Sequence, residues 1–348
     1  MIIISLTHKT ILRILPPHKS KFLVRWAKPG KSSWLKAGLT WLADRFFEEH
    51  MEETEQGKRA SEPGQREPVG GVCLENLAYL SDYLGESQLV IEDDALLEWA
   101  HSSRISPRDA QIEALQRRII PLRYAKNFNA LTLAEQRHIC ESRVLVCGCG
   151  GLGGVIINLL ARAGVGTLRL VDGDVFVPSN LNCQWFCDTK ELSRPKAEVA
   201  GARVRAINPL TEIEVFSTVM DEDNAGALVG GMGLVIDALD NLPGSLLLAE
   251  AAKHMRVPFI HTAATGWWGQ VSTFLPESFL NLHDIYGPQE EGNPAEDMTG
   301  VLGPAPAVIG GFASFEAIRL LSGRNSAYAD HLLYLDGENG RMDVIPLG

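Results

Sequence analysis

A glycine-rich loop at residues 147–154 carries the clearest chemical signal in this chain of 348 residues. Gly148, Gly150 and Gly153 follow the spacing Gly-x-Gly-x-x-Gly, after an apolar run typical of a buried strand and before one typical of a helix. Such glycines let phosphate oxygens approach the backbone, and the N-terminus of the following helix offers unpaired N–H donors. The loop, including Gly151, therefore predicts a binding site for nucleotide phosphates.

Polar residues follow the next predicted strand, which covers residues 167–172. Asp172 ends this strand 19 residues after Gly153, a position that suits hydrogen bonds to ribose hydroxyl groups. The polar stretch continues with three further candidates: Asp174, Asn180 and Gln184. These residues predict a nucleotide that contains ribose, and they leave NAD, FAD and ATP open.

A lysine and an aspartate discriminate between these nucleotides. Lys196 falls in the first turn of a predicted helix, where a cation opposes the helix dipole unless an anion lies nearby. Asp240 and Asn241 end a predicted strand, at the sheet edge where ligands of open α/β proteins bind. A lysine can balance triphosphate charge and an aspartate can hold Mg²⁺, whereas hydride transfer requires neither. The pair favours ATP, with Mg²⁺ at Asp240, in an adenylation reaction.

The elements that must position these residues alternate between strand and helix from Arg143 onwards. This alternation predicts an α/β fold with a Rossmann-like, doubly wound, mainly parallel sheet and antiparallel additions at one edge. The predicted strands cover residues 144–148, 167–172, 211–216, 234–239, 257–263, 270–276, 332–336 and 342–347. The predicted helices cover residues 151–163, 194–206, 244–254 and 305–321.

Four segments are predicted from composition and helix signals. They are a basic N-terminal accessory segment (1–51), a linker (52–71), a helical accessory region (72–122) and a nucleotide-binding domain (123–348). The linker is polar and rich in glycine and proline. Helix starts are predicted at Ser33, at Ser106-Pro107 and at Thr132, where Glu135 completes a capping box.

Charge and cysteine usage narrow the class of protein. The net charge of −11 argues against a nucleic-acid partner. Residues 1–47 nevertheless carry +8 and leave −19 for the remainder, so they form either a solvated surface or a docking surface for an acidic partner. None of the six cysteines forms a Cys-x-x-Cys pair, so no zinc is expected. Without a secretory signal or a long apolar run, we expect a cytoplasmic protein with no membrane partner.

Seven motifs in order give the chain a family resemblance. GCGGLG, DGD, SNLNCQ, PKAE, DALDN, GWWGQV and GVLGP…FEAIRLLSG resemble motifs of the MoeB/ThiF/HesA family, bacterial adenylyltransferases related to ubiquitin-activating enzymes. The resemblance runs from about Arg123 to the C-terminus. It implies ATP-dependent adenylation of the C-terminal glycine of a ubiquitin-like sulfur carrier with a Gly-Gly tail, with release of pyrophosphate. Some members act on other, small carboxylates. The resemblance also implies a homodimer in which an arginine reaches the partner's ATP.

The resemblance also implies a role for each candidate residue. The loop glycines would border the phosphates, Asp172 would bind the ribose, and Lys196 would neutralise the β- and γ-phosphates. Asp240 would hold Mg²⁺. The remaining candidates would line or shape the site: Asp174, Asn180, Gln184 and Asn241.

Three positions depart from the family pattern. Where the family has arginines, this chain has Lys126, Cys183 and Ser245. Lys126 keeps a catalytic charge but loses the guanidinium fork, and the other two positions lose the charge. The alternative is therefore a catalytically impaired, nucleotide-binding scaffold subunit. An NAD-dependent oxidoreductase rests on the glycine loop alone. His261, at a strand end, is interpreted as a buried, hydrogen-bonded histidine.

Overall fold

The computed structural model describes most of the chain after its N-terminal segment. The described residues are 73–83, 86–287 and 300–347, together with two N-terminal strands. These strands, β1 (Ile3–Leu6) and β2 (Thr10–Arg13), pair antiparallel with each other.

The chain forms two compact units, Met1–Glu67 and Pro68–Gly348. The helix predicted after Ser33 and the linker predicted at 52–71 lie outside the described residues. The four predicted domain boundaries therefore stay predictions.

A small three-stranded sheet and two helices open the second unit. β3 (Tyr79–Tyr83) pairs antiparallel with β4 (Glu86–Ile91), and β4 pairs in parallel with β5 (Ile120–Pro121). The helices α1 (Asp93–Ser103) and α2 (Pro107–Gln116) connect β4 to β5. The region predicted as helical thus also contains strands, because its apolar residues are buried by pairing between distant parts of the chain.

Two predicted helix starts are confirmed by their capping bonds. The Ser106 hydroxyl accepts a hydrogen bond from the backbone N–H of Asp109 at 3.0 Å, and Pro107 opens α2. Thr132 and Glu135 form the predicted capping box at the start of α3 (Leu133–Glu141).

The main sheet has eight strands in the described part of the chain. Its members are β6 (Arg143–Cys147), β7 (Thr167–Val171), β8 (Glu212–Phe216), β9 (Leu234–Asp237), β10 (Phe259–Thr265), β11 (Trp268–Phe274), β12 (His331–Asp336) and β13 (Arg341–Pro346). Their order is β13-β12-β11-β10-β9-β6-β7-β8. The five strands from β10 to β8 are parallel and the remaining pairings are antiparallel, which confirms the predicted architecture.

Helices cover both faces of this sheet. They are α4 (Gly151–Ala163), α5 (Lys196–Ile207), α6 (Ala225–Val229), α7 (Leu242–His254), α8 (Leu282–Tyr286) and α9 (Pro304–Leu321). Side chains of β6 alternate between two apolar clusters: Val144 and Val146 pack with α4, α5 and α9, whereas Leu145 and Cys147 pack with α6 and α7. Burial on both faces explains why the central strands are continuously apolar. No helix among the described residues is long and apolar enough to cross a membrane.

A buried polar network fastens the small sheet and helices to the main sheet. The Tyr124 hydroxyl donates to Gln111 Oε1 at 2.8 Å and accepts from Asn208 Nδ2 at 2.9 Å. Gln111 Nε2 in turn donates to the carbonyl oxygen of Leu210 at 3.0 Å. Burial raises the pKa of Tyr124 well above its ordinary value. The hydroxyl therefore keeps the proton that it donates to Gln111.

An ion pair between Glu135 and Arg324 joins the start of α3 to the segment after α9. The hydrogen bond from Arg324 lowers the pKa of Glu135 to about 2. Because the pKa of Glu135 is lower in the folded protein than its ordinary value near 4.5, the ion pair stabilises the fold at pH values above about 4.5. This contribution is lost as the pH falls towards about 2.

We expect Glu135→Gln to lower the free energy of unfolding by about 1 kcal/mol at neutral pH, because the amide keeps the cap but loses the charge. The difference from the wild type should vanish towards pH 2. Urea unfolding at several pH values measures it, with Glu222→Gln at an exposed position as the control. A difference between wild type and Glu135→Gln that does not change with pH would contradict this account.

Candidate nucleotide site

The glycine loop connects β6 to α4 and packs tightly on the turn after β9. Gly148 has a φ of 96°, and a Cβ atom there would lie 2.3 Å from the carbonyl oxygen of Ala238. A Cβ atom on Gly153 would lie 1.8 Å from the carbonyl oxygen of Gly148. These two glycines are therefore required by backbone packing, whatever the loop binds.

The middle of the loop is less constrained by the protein. A Cβ atom on Gly150 would meet only the side chain of Gln184, with Nε2 at 3.4 Å, which is ordinary contact. The Oε1 atom of Gln184 is buried and has no hydrogen-bond partner. Rotation of an amide exchanges its oxygen and nitrogen, so this group can accept from a ligand or donate to a phosphate oxygen. The unsatisfied amide beside Gly150 fits a bound nucleotide.

Lys196 opens α5 with its ammonium group pointing into a cluster of carboxylates. The side chain is 8% exposed, and Nζ donates to Asp174 Oδ2 at 2.9 Å. Burial alone would lower the pKa of Lys196, but the hydrogen bond to Asp174 and the charges of Asp172, Asp174 and Asp240 outweigh it and raise the pKa. The charge of Asp240 is the smallest of these contributions, and the hydrogen bond to Asp174 is the direct contact.

Asp172 is bonded to the glycine loop, and its charge acts on this ammonium group. Its carboxylate accepts the backbone N–H of Cys149 at 2.7 Å and that of Asp174 at 2.8 Å. Burial raises the pKa of Asp172 in spite of these two bonds. Each carboxylate oxygen keeps a second lone pair, so Asp172 can still accept hydrogen bonds from ribose hydroxyl groups.

Two predicted asparagines shape the backbone around the site. Asn180 Oδ1 accepts the N–H of Val177 at 2.9 Å and closes the 3₁₀ turn Pro178–Asn182. Asn241 Oδ1 accepts the N–H of Gly244 at 2.9 Å and caps α7. Both residues are therefore engaged in local structure at the positions where the sequence predicts ligand contacts.

The three positions that depart from the family pattern differ in environment. Lys126 is exposed in the 3₁₀ turn Leu122–Asn127, and within the described residues no hydrogen bond or ion pair joins it to the glycine loop. Burial raises the pKa of the Cys183 thiol, which disfavours a nucleophilic thiolate. Ser245 is 3% exposed, and its hydroxyl donates to the carbonyl oxygen of Asn241 at 3.2 Å. An arginine would not fit at position 245 without displacing the packing of α7.

Two arginines of the α5 region, Arg194 and Arg203, are paired with carboxylates. Arg194 pairs with Glu191, and Arg203 Nη2 lies 2.9 Å from Asp188 Oδ2. The carboxylate partners of both guanidinium groups belong to the loop before α5.

Sequence reasoning missed two contacts that organise the site. It did not identify Asp174 as the partner of Lys196, although the Asp-x-Asp spacing was visible. It also missed Asp237, a fully buried carboxylate that pairs with His261. The interpretation of His261 as a buried, hydrogen-bonded residue is confirmed.

Metal binding at this site would need ligands from the nucleotide. Among the described residues, no group of three or more His, Cys, Asp and Glu side chains is placed to hold a metal ion. Asp240 is exposed and offers a carboxylate. Mg²⁺ in proteins commonly takes one or two carboxylates together with substrate phosphates, so this donor set fits Mg²⁺ bound with a nucleotide.

Comparisons with known proteins find one family and several relatives. The model described as "ThiF family" matches residues 124–348. The chain is 35% identical over 212 residues to the SAMP-activating enzyme E1 of Haloferax volcanii, covering 61% of this chain and 78% of the relative. It is 33% identical over 211 residues to the sulfur carrier protein adenylyltransferase of Thermus thermophilus, covering 58% and 77%. The crystal structure of Escherichia coli MccB with ATP has a similar fold, with a TM-score of 0.58, 15% identity, and coverage of 79% and 96%.

The two classes of loop glycine predict different consequences of adding a methyl group. We expect Gly150→Ala to keep the melting temperature within about 2 °C, because the added methyl group makes ordinary contact with Gln184. ATP binding should weaken by at least about tenfold, because the methyl group keeps phosphate oxygens from approaching the loop backbone. For Gly148→Ala, we expect the free energy of unfolding to fall by about 2 kcal/mol or more, because position 148 has a positive φ and a Cβ atom there would clash with Ala238. Thermal unfolding and calorimetric ATP titration separate the two effects. Undiminished ATP binding by Gly150→Ala would contradict a phosphate site at this loop.

Proposed function

Because this chain belongs to the ThiF family, we propose that it is an ATP-dependent adenylyltransferase of the ubiquitin-like modifier activating type. Its substrate is the C-terminal glycine carboxylate of a ubiquitin-like sulfur-carrier protein with a Gly-Gly tail, and pyrophosphate is released. The observation that carries the proposal is the buried ammonium of Lys196, which pairs with Asp174, two residues after Asp172.

The residues bind and orient ATP in this proposal. The loop glycines and the N-terminus of α4 receive the phosphates, with the amide of Gln184 beside Gly150. Asp172, fixed by two backbone N–H groups, binds the ribose. Asn180 and Asn241 keep the surrounding turns in shape.

The reaction is a nucleophilic substitution at phosphorus. A carboxylate oxygen of the carrier's terminal glycine forms a bond to the α-phosphorus, the bond from this phosphorus to the bridging oxygen breaks, and pyrophosphate leaves with the electron pair. Lys196 offsets the negative charge that develops on the leaving group. Bound Mg²⁺ would neutralise phosphate charge, and Asp240 would hold it.

The arginine departures motivate the alternative, a scaffold subunit that binds ATP without turning it over. Lys126 is the cation left at the three positions, and it lies exposed. A small carboxylate in place of the carrier tail also fits the same chemistry. An oxidoreductase is disfavoured because Lys196 and its carboxylate partners have no role in hydride transfer.

We expect Lys196→Met to lower ATP–pyrophosphate exchange by about 10²–10³-fold, because the charge opposite the leaving group is lost. Exchange is measured with ATP, Mg²⁺ and candidate carriers that end in Gly-Gly, and Lys190→Met, at an exposed position, serves as the control. ATP binding by the wild type with no exchange on any carrier or small carboxylate would favour the scaffold subunit.

A homodimer is proposed from exposed apolar side chains on α4, on α9 and in the loop before α5. Leu159, Trp185, Val308 and Phe315 are 38%, 58%, 43% and 69% exposed. Val308 and Phe315 are seven residues apart and share one face of α9, and α9 packs along α4. Apolar patches of this kind commonly mark interfaces.

We expect Phe315→Asp to convert the dimer into a monomer, because the carboxylate would be desolvated in the interface. Light scattering during gel filtration measures the mass, and Phe279→Asp, at a fully exposed position, serves as the control. A wild type that elutes as a monomer at micromolar concentration would refute the homodimer.

A further inference from the structure

A buried chain of hydrogen bonds runs beneath the turn that carries Asp240. Asp237, at the end of β9, is fully buried, and His261, beside it on β10, is 2% exposed. His261 Nδ1 lies 2.7 Å from Asp237 Oδ2, and Nε2 lies 2.8 Å from the hydroxyl oxygen of Tyr286 at the end of α8. Gln270 Nε2 also donates to that hydroxyl oxygen. Charged and polar side chains are rarely placed so deep without a specific role.

The direction of these bonds follows from the donors and acceptors. The other oxygen of Asp237, Oδ1, accepts the backbone N–H of Leu239 at 3.0 Å. Both carboxylate oxygens of Asp237 thus act as acceptors, so His261 carries its proton on Nδ1 and donates this hydrogen bond to Asp237. The Tyr286 hydroxyl accepts from Gln270, and it can donate its own proton to His261 Nε2. Each of these side chains then has a hydrogen-bond partner, and Asp237 is the final acceptor.

Asp237 controls the turn from Ala238 to Asp240. Its side chain binds the N–H of Leu239, while its backbone carbonyl oxygen accepts from the Thr262 hydroxyl at 2.6 Å. The next residue, Ala238, is the one against which Gly148 packs. The geometry of Asp237 therefore affects both the glycine loop and the direction in which Asp240 leaves the sheet.

We propose that His261 is a positioning residue which, through Asp237, sets the Ala238–Asp240 turn so that Asp240 can hold the metal ion of a metal–ATP complex. This inference rests on the proposed function. The ring of His261 is fixed for this role, since it stacks on Phe259 and meets Tyr286 edge-on, at centroid distances of 6.5 and 5.5 Å. Partners that orient a metal ligand commonly change metal affinity or activity by about 10–100-fold when removed.

Two substitutions separate the contact to Asp237 from the contact to Tyr286. In His261→Asn, the amide nitrogen can take the position of Nδ1 and keep the bond to Asp237. In His261→Gln, the longer amide reaches the position of Nε2 and leaves Asp237 Oδ2 buried without a partner. The two variants are matched in polarity, so a general loss of polar burial would affect both.

The test measures ATP affinity by calorimetry, with and without Mg²⁺, and the Mg²⁺ concentration for half-maximal pyrophosphate exchange. For His261→Gln, we expect metal-free ATP affinity within about twofold of the wild type, and an Mg²⁺ requirement raised by about tenfold or more. His261→Asn should stay within about threefold of the wild type in both measurements. Thermal unfolding confirms that each variant is folded before it is compared.

Two results would overturn the inference. One is an unchanged Mg²⁺ dependence in folded His261→Gln, and the other is an equal defect in His261→Asn. A wild type that gains ATP affinity from Mg²⁺ but shows no exchange contradicts the proposed function alone, because the calorimetric comparison of the variants still tests the positioning role.

Discussion

The burial of one ammonium group organises the candidate site. Removing a charge from water costs several kcal/mol unless it is paired, so Lys196 requires a carboxylate, and Asp174 provides it. Asp172 and Asp240 add negative charge, so the charges of three carboxylates act on one lysine. This local excess of negative charge opposes a triphosphate. A cation that accompanies the nucleotide would offset this negative charge, and the exposed carboxylate of Asp240 would hold that cation.

The sheet order explains why these residues meet. β6 lies between β7 and β9 in the sheet. After β6, the chain adds β7 and β8 on one side of it and then crosses over to add β9 on the other side. A crevice forms at the carboxyl ends of strands at such a switch point. The glycine loop, Asp172 and Asp240 follow β6, β7 and β9 respectively, so residues distant in sequence share one edge.

The interior behind the site is unusually polar for a core. Asp237, His261 and Thr262 are buried beneath the Asp240 turn, and Ser245 is buried at the start of α7. The same helix start is capped by Asn241. None of these four buried residues is a lysine or an arginine, so this part of the interior does not replace the charges lost at the family's arginine positions.

The sequence by itself determined the order of the main-sheet strands and of the four long helices after Arg143, and the capped helix starts at Ser106 and Thr132. It also determined the glycine loop and the candidates Lys196 and Asp240, because all of these depend on local periodicity and on motif spacing. It did not determine the strands at Tyr79–Tyr83, Glu86–Ile91 and Ile120–Pro121, since their pairing joins distant segments. Only the tertiary structure decided that Asp174 pairs with Lys196, that Gln184 is left with an unsatisfied amide, and that His261 bonds to Asp237. These facts depend on which side chains are brought within hydrogen-bond distance, and residues separated by 22 or 24 positions leave no periodic trace of that contact.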